Sequence, residues 1–180
     1  MKIFLRILLG IVLVLGLIGI FAPKEFSLQR DITINKPKGL VFDELKLLRN
    51  HDKWSAWSKK DPNMKKEFVG TDGTVGFTSR WESKNEELGV GEQEIKKIVA
   101  GERLETEIRF KVPFEAAFSS YLTTESVSAN QTKVTLGMHD EMPFPINILG
   151  FIMNVCFDNK TKIIKDFDAT LAGLKTELEK

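Results

Sequence analysis

The sequence is short of most of the residues that usually mark an active site. It has one cysteine, Cys156, and two histidines, His51 and His139. A single cysteine excludes an intrachain disulfide. With no CxxC pair and no HExxH spacing, a zinc site is not expected either. A lone thiol neither requires nor excludes an oxidising compartment. No GxSxG elbow surrounds Ser55, Ser58, Ser119 or Ser120. The glycines from Gly70 to Gly76 lack the lysine of a phosphate-binding loop and read as hairpin turns. The run His139-Asp140-Glu141 has acid/base chemistry, but it falls at a predicted strand end, where polar residues are ordinary. No catalytic residue, metal ion or cofactor is therefore assigned. An excess of one charge is missing too. Setting aside Lys2 and Arg6, 24 basic side chains stand against 25 acidic ones from Pro23 onward. These charges are interspersed and form no basic tract, so nucleic acid is not an expected partner. Repeats, low-complexity tracts and long linkers are absent.

What the chain does have is a long apolar start. From Ile7 to Ala22 no side chain is charged or polar, and residues 3–22 are interrupted only by Arg6. About 20 apolar residues cross a bilayer core, and an arginine near one end can snorkel to the interface. A core helix apolar on every side would need a larger protein around it. A cleaved signal peptide shares the short basic start, but a cut after Ala22 would follow bulky Ile20 at a small-residue position and precede Pro23. The expectation is an uncleaved single-pass anchor over residues 1–23 and one soluble domain over residues 24–180. Lys2, Arg6 and the terminal amine favour an inside N-terminus, against Lys24, Arg30, Lys36 and Lys38 after the helix. Long domains translocate largely regardless of such charges. The domain is expected on the extracytoplasmic side.

Within the domain, Phe26, Leu28, Ile32 and Ile34 share one face of an alternating run, which predicts a half-buried strand. Pro37 opens a helical pattern over Leu40–Leu48. The Trp-rich stretch His51–Pro62 reads as irregular. Strand patterns then follow one another. They comprise Phe68-Val69 with a turn at Asp72-Gly73, then Phe77–Trp81, Gly89–Val99, Arg103–Phe110, Ala116–Glu125 and Lys133–His139. In one of these Leu104, Thr106, Ile108 and Phe110 point inward, and Arg103, Glu105, Glu107 and Arg109 outward. In the last, Val134, Leu136 and Met138 share a face. Pro145–Cys156 is short and apolar. Lys160–Leu178 places Ile163, Ile164, Phe167, Leu171, Leu174 and Leu178 on one stripe of a long amphipathic helix. The fold class is α+β: a curved antiparallel sheet of about six to seven strands, with an apolar face that only the final helix is long enough to cover. A sheet gripping a helix leaves a cleft, the usual place for an apolar ligand.

Trp54-Ser-Ala-Trp57-Ser58 followed by Asp61-Pro62 resembles a stretch of the polyketide cyclase/dehydrase and lipid-transport branch of the START-like (SRPBCC) superfamily. Further matches follow in the family's order. They are Gly73-Thr-Val-Gly76 with Trp81, Gly89-Val-Gly91, Glu102-Arg-Leu, Phe110-Lys-Val-Pro113-Phe114, Thr132-Lys-Val-Thr135, Met142-Pro-Phe-Pro145, Asp166-Phe167 and Leu171-Ala-Gly-Leu-Lys175. Each is weak alone; the ordered series covers nearly everything from Phe26 onward. The resemblance implies a helix-grip fold, and some family members carry an N-terminal membrane segment. The chain departs from the pattern at Lys59-Lys60, where the family favours proline and an aromatic, and at Leu136-Gly137, where it favours a tryptophan. Both changes bear on cavity shape.

Candidate ligand-cavity residues are Trp54, Trp57, Trp81, Phe110, Tyr121, Met138 and Phe167. Trp54 and Trp57, three apart, could share one helical face and line a cavity mouth or sit at a membrane interface, or they plug the end of the core. Trp81 and Tyr121 carry the same pair of readings, and a buried Tyr121 hydroxyl would need a partner. The leading expectation is a binding domain for an apolar small molecule or lipid, held beside the membrane by residues 3–22. Two alternatives stand beside it. One is a cyclase- or dehydratase-type enzyme using the same cavity. The other is a tethered protein-interaction domain, which a filled cavity and a large exposed apolar patch would favour.

Overall fold

Alternating apolar and polar side chains build seven strands and a periodic stripe builds one long helix, as the computed structural model shows for residues 1–112 and 115–180. The Pro113-Phe114 pair lies outside the described residues. In chain order the elements are α1 (Lys2–Phe21), β1 (Glu25–Ile34), α2 (Lys38–Leu45), a 3-10 turn (Leu48–Asn50), α3 (His51–Trp54) and α4 (Ala56–Lys60). The strands β2 (Lys65–Val69), β3 (Thr78–Glu82), β4 (Val90–Val99), β5 (Arg103–Val112), β6 (Ala116–Ser128) and β7 (Gln131–Glu141) follow. The chain closes with α5 (Ile146–Phe157) and α6 (Asn159–Leu178).

The strands form one antiparallel sheet in the order β1-β7-β6-β5-β4-β3-β2. Strands β2 to β7 are a meander, and β1 closes the far edge on β7, with Leu28 opposite Met138 and Ile32 opposite Val134. Register shifts in β4 at Ile95/Lys97 and in β6 at Ser126/Ser128 mark bulges, which bend strands and increase twist. Alternation then decides the two faces. Leu28, Ile34, Ile95, Leu104, Leu122, Val134 and Leu136 turn to the side that α6 covers, where Phe167, Leu171 and Leu174 meet them. Val41 and Leu45 of α2 close one end of this core. Each such side chain contributes about 1.5–3 kcal/mol on full burial, so this interface dominates the fold's stability.

The Trp-rich stretch is ordered as two short helices rather than irregular. Ser55 is extended between them, with ψ of 132°, so Trp54 and Trp57 do not share one helical face. What holds them is α6. Thr170 is buried, and its Oγ1 accepts the Ala56 N–H at 3.0 Å. A Cβ at Gly173 would lie 2.4 Å from the Trp54 carbonyl oxygen, so only glycine lets α3 approach α6 this closely. The short apolar run after β7 forms α5, and α5 is exposed: Ile146, Leu149 and Val155 each keep more than half their surface. Helix α1 is long and apolar enough to cross a membrane, and almost none of it is buried.

Candidate ligand cleft

The sheet face that packs on α6 is not uniform along its length. Ile34, Ile95, Leu104 and Val134 are buried at one end. Toward the end where β7 runs into α5, residues of the same parity stay half-buried: Trp81 on β3, Ile108 and Phe110 on β5, Phe118 on β6 and Met138 on β7. Three of them interlock. Trp81 and Phe110 meet edge to face at 5.6 Å between ring centroids, and Phe110 and Phe118 at 6.1 Å. The Trp81 indole N–H donates to the Leu88 carbonyl at 2.9 Å, which fixes the ring plane. Its benzo edge lies over Gly91, the residue paired with it across the strands; a Cβ there would come within 2.4 Å of the ring. Here glycine is required by close approach, not by a turn.

The polar groups on this surface are few. The Gln93 amide donates to Thr106 Oγ1 at 3.0 Å, and Ser120 is buried beside Met138, its partner on β7. At the rim Asp140 accepts the Ser119 N–H through both carboxylate oxygens, at 2.9 and 3.0 Å. Burial pushes its carboxyl above the usual range, against those hydrogen bonds. An aromatic floor with a few placed polar groups can hold and orient an apolar molecule.

The predicted cavity residues separate into three groups. Trp81, Phe110 and Met138 lie on the half-open surface. Trp54 and Phe167 are buried in the core, 2 % and 1 % exposed, and Trp57 packs edge-on against Phe167 at 5.9 Å. Tyr121 must be removed from the group. It faces the opposite side of the sheet, its ring lying where a Gly137 Cβ would be, 2.1 Å away. Its hydroxyl donates to Gln29 Oε1 at 3.0 Å and the Arg103 guanidinium stacks on its ring at 4.1 Å. Odd-numbered β6 residues face outward, and the parity fixed by Leu122 would have said so. The same parity would have found Phe118, which sequence reasoning passed over. Alternation also splits the His139-Asp140-Glu141 run, leaving only Asp140 on the α6 side.

The outer face is polar. A groove of about 550 Å³ there is lined by Ser27, Arg103, Glu105, Glu107, Tyr121 and His139 among others. Beside it Arg109 bonds Glu92 and Glu94 at 2.8 Å each and also Glu107. The guanidinium holds the Glu92 and Glu94 carboxyls below their usual range. His51 is a different case. Its Nε2–H donates to the Leu45 carbonyl at 2.7 Å, and its ring packs 4.3 Å from that of Trp54. Burial outweighs the nearby acids and holds it down to about 4. No group of three or more metal-ligating side chains occurs among the described residues.

No protein-family model matches the chain, and no curated protein matches it significantly in sequence. Solved structures do match in shape. Ara h 8.0201 superposes with a TM-score of 0.54 at 16% identity, over 84% of this chain and 99% of that one. MLL2253 from Mesorhizobium loti gives 0.56 at 11% identity, over 86% and 97%. The di-domain ARO/CYC protein BexL of the BE-7585A biosynthetic pathway gives 0.55 at 17% identity, over 86% of this chain and 46% of BexL. The fold is the helix-grip fold. At these identities the likeness establishes the architecture alone. In helix-grip terms, α6 is the gripped helix, and Trp81, Phe110 and Phe118 form the half-exposed part of the gripping face.

Proposed function

We propose that the chain is a membrane-anchored binding domain that holds an apolar small molecule or lipid between the sheet and α6, for sequestration or transfer. One observation carries this reading: the aromatic surface of Trp81, Phe110 and Phe118 stays half-exposed on the face that is otherwise buried. Half-exposed aromatics on a core face, with a few polar groups beside them, have the composition of an apolar binding surface. The anchor supports the same reading. Residues 1–23 tether residues 24–180 and raise the cleft's effective concentration beside any membrane-dissolved ligand. The domain then works on the extracytoplasmic surface.

A cyclase- or dehydratase-type reaction in the same cleft has one residue in its favour, Asp140, whose raised carboxyl is suited to giving or taking a proton at the rim. It stands without a histidine partner, because His139 faces the other way. The binding reading therefore comes first.

Native mass spectrometry of purified residues 24–180, before and after solvent extraction, tests it. A bound apolar mass that disappears on extraction is expected. A folded domain that is empty and takes up neither added phospholipid nor fatty acid would overturn the proposal.

A further inference from the structure

From Met142 to Phe157 the chain carries no charged side chain. The helix it forms, α5, is apolar around most of its circumference yet leaves Ile146, Leu149, Val155 and Phe157 more than half exposed, as is Phe144 just before it. A helix of that composition belongs in a core or in lipid. It is not in the core. At 12 residues it is about 18 Å long, too short to span a bilayer core of about 30 Å.

Its position supplies the missing partner. The N-terminal turn of α5 is fastened to the last turns of α1. Asn147 is 1 % exposed, and its side-chain amide donates to the Gly19 carbonyl at 2.8 Å and the Ala22 carbonyl at 3.2 Å. These are carbonyls that the end of a helix leaves without intrahelical partners. The Phe144 ring fills the space beside Gly19, where a Cβ would meet it at 2.7 Å, and Phe151 lines a hollow with Leu17, Ile18, Phe21 and Ala22. Helix α1, at 20 residues, is about 30 Å long and matches the bilayer core. Its last turns therefore lie where acyl chains meet headgroups, and α5 is held at that depth.

We infer that α5 is a second membrane contact, an interfacial helix lying in the plane of the leaflet from which α1 emerges. The bound lipid surface is contacted through Phe144, Ile146, Leu149, Val155 and Phe157. Because α5 follows β7 directly, it holds the half-open end of the sheet, with Met138 and Phe118, against the membrane. An apolar ligand then moves between leaflet and cleft without crossing bulk water. This inference rests on reading α1 as membrane-spanning.

The test uses the full chain in phosphatidylcholine nanodiscs with an environment-sensitive fluorophore on Cys156, which is native, single and exposed on α5. Two control reporters in a Cys156→Ser background carry the label at Leu13→Cys, in the middle of α1, and at Ser128→Cys, on the β6–β7 turn. The expected result is a blue-shifted Cys156 label quenched by lipids with a nitroxide near the headgroup, Leu13→Cys quenched by deeper nitroxides, and Ser128→Cys quenched only by aqueous iodide. An iodide-quenched Cys156 label with a lipid-embedded Leu13→Cys would overturn the α5 inference and leave the anchor standing. A Cys156 label shielded from both quenchers would give the helix a protein partner instead and also overturn it. An aqueous Leu13→Cys would overturn anchor and inference together.

Discussion

His51 is a pH-sensitive strut. Its folded value near 4 lies below the ordinary histidine value of about 6.5, so protons bind the unfolded chain preferentially as pH falls between the two. Stability is expected to be flat above about 6.5 and to decline toward 4, by a total on the order of 3 kcal/mol. Urea unfolding at several pH values measures the slope, and His51→Gln is expected to flatten it. Arg109 works in the opposite sense. Its bonds keep Glu92 and Glu94 ionised, so their contribution is present above the ordinary glutamate value and is lost as pH falls through the folded one. Arg109→Met removes the cation shared by Glu92, Glu94 and Glu107, leaving Glu92 with Arg80 and Lys111 and Glu94 with Lys96. The expected cost is about 1–2 kcal/mol at neutral pH, more than the ~0.2–1 of an isolated exposed pair, and smaller in high salt. The outward placement of all four groups was legible from alternation in β4 and β5. The partial burial of His51 was not, because it depends on its ring packing on Trp54 and its bond to the Leu45 carbonyl.

The decisive element contact is α6 on α3. Alanine at a helix-interior glycine ordinarily stabilises by about 1 kcal/mol. At Gly173 the added Cβ meets the Trp54 carbonyl oxygen, so Gly173→Ala is expected to destabilise by about 1–3 kcal/mol, read as a lower urea midpoint. The strands supply a second comparison. Leu104→Ala removes a buried side chain and is expected to cost about 2–5 kcal/mol. Phe118→Ala, four residues from Leu122 on the same face of β6 and half-exposed, is expected to cost about 1 kcal/mol or less while weakening apolar-probe binding tenfold or more, about 1.4 kcal/mol. Equal stability losses would mean that Phe118 is core, not cleft. The stripe on α6 and the strand alternation were both legible. The break between α3 and α4 was not, since it follows from Thr170 capping Ala56 across 114 residues of chain.

For the whole molecule, the anchored reading makes a simple demand. The chain in native membranes is expected to resist alkaline carbonate and to leave only with detergent, and its intact mass is expected to include residues 2–22. Release by carbonate, or a mature chain beginning at Pro23, would detach the domain from the proposed mechanism. The two apolar helices also act together. Asn147 ties α1 to α5, so Asn147→Leu, which leaves the Gly19 and Ala22 carbonyls unpaired, is expected to loosen the domain from the anchor. Faster hydrogen exchange over 146–157, with unchanged exchange in β5–β7, is the measurement.

Local periodicity determined the strands, the long final helix and the inward set on β5 and β7, because each repeats every two or 3.6 residues within one segment, and an unbroken apolar run marked the start. The helix-grip architecture followed, since a one-sided sheet has a single helix long enough to cover it. Three things were left to tertiary structure. One was the need for glycine at 137, which only the packing of the Tyr121 ring against it explains, although the face Tyr121 takes could be read from parity. Another was the division of the apolar sheet residues into a buried core and a half-exposed aromatic surface, which alternation places on one face without distinguishing them. The last was the exposure of α5. Composition marks it as apolar, but only its distance from the core and its fastening to α1 decide what covers it.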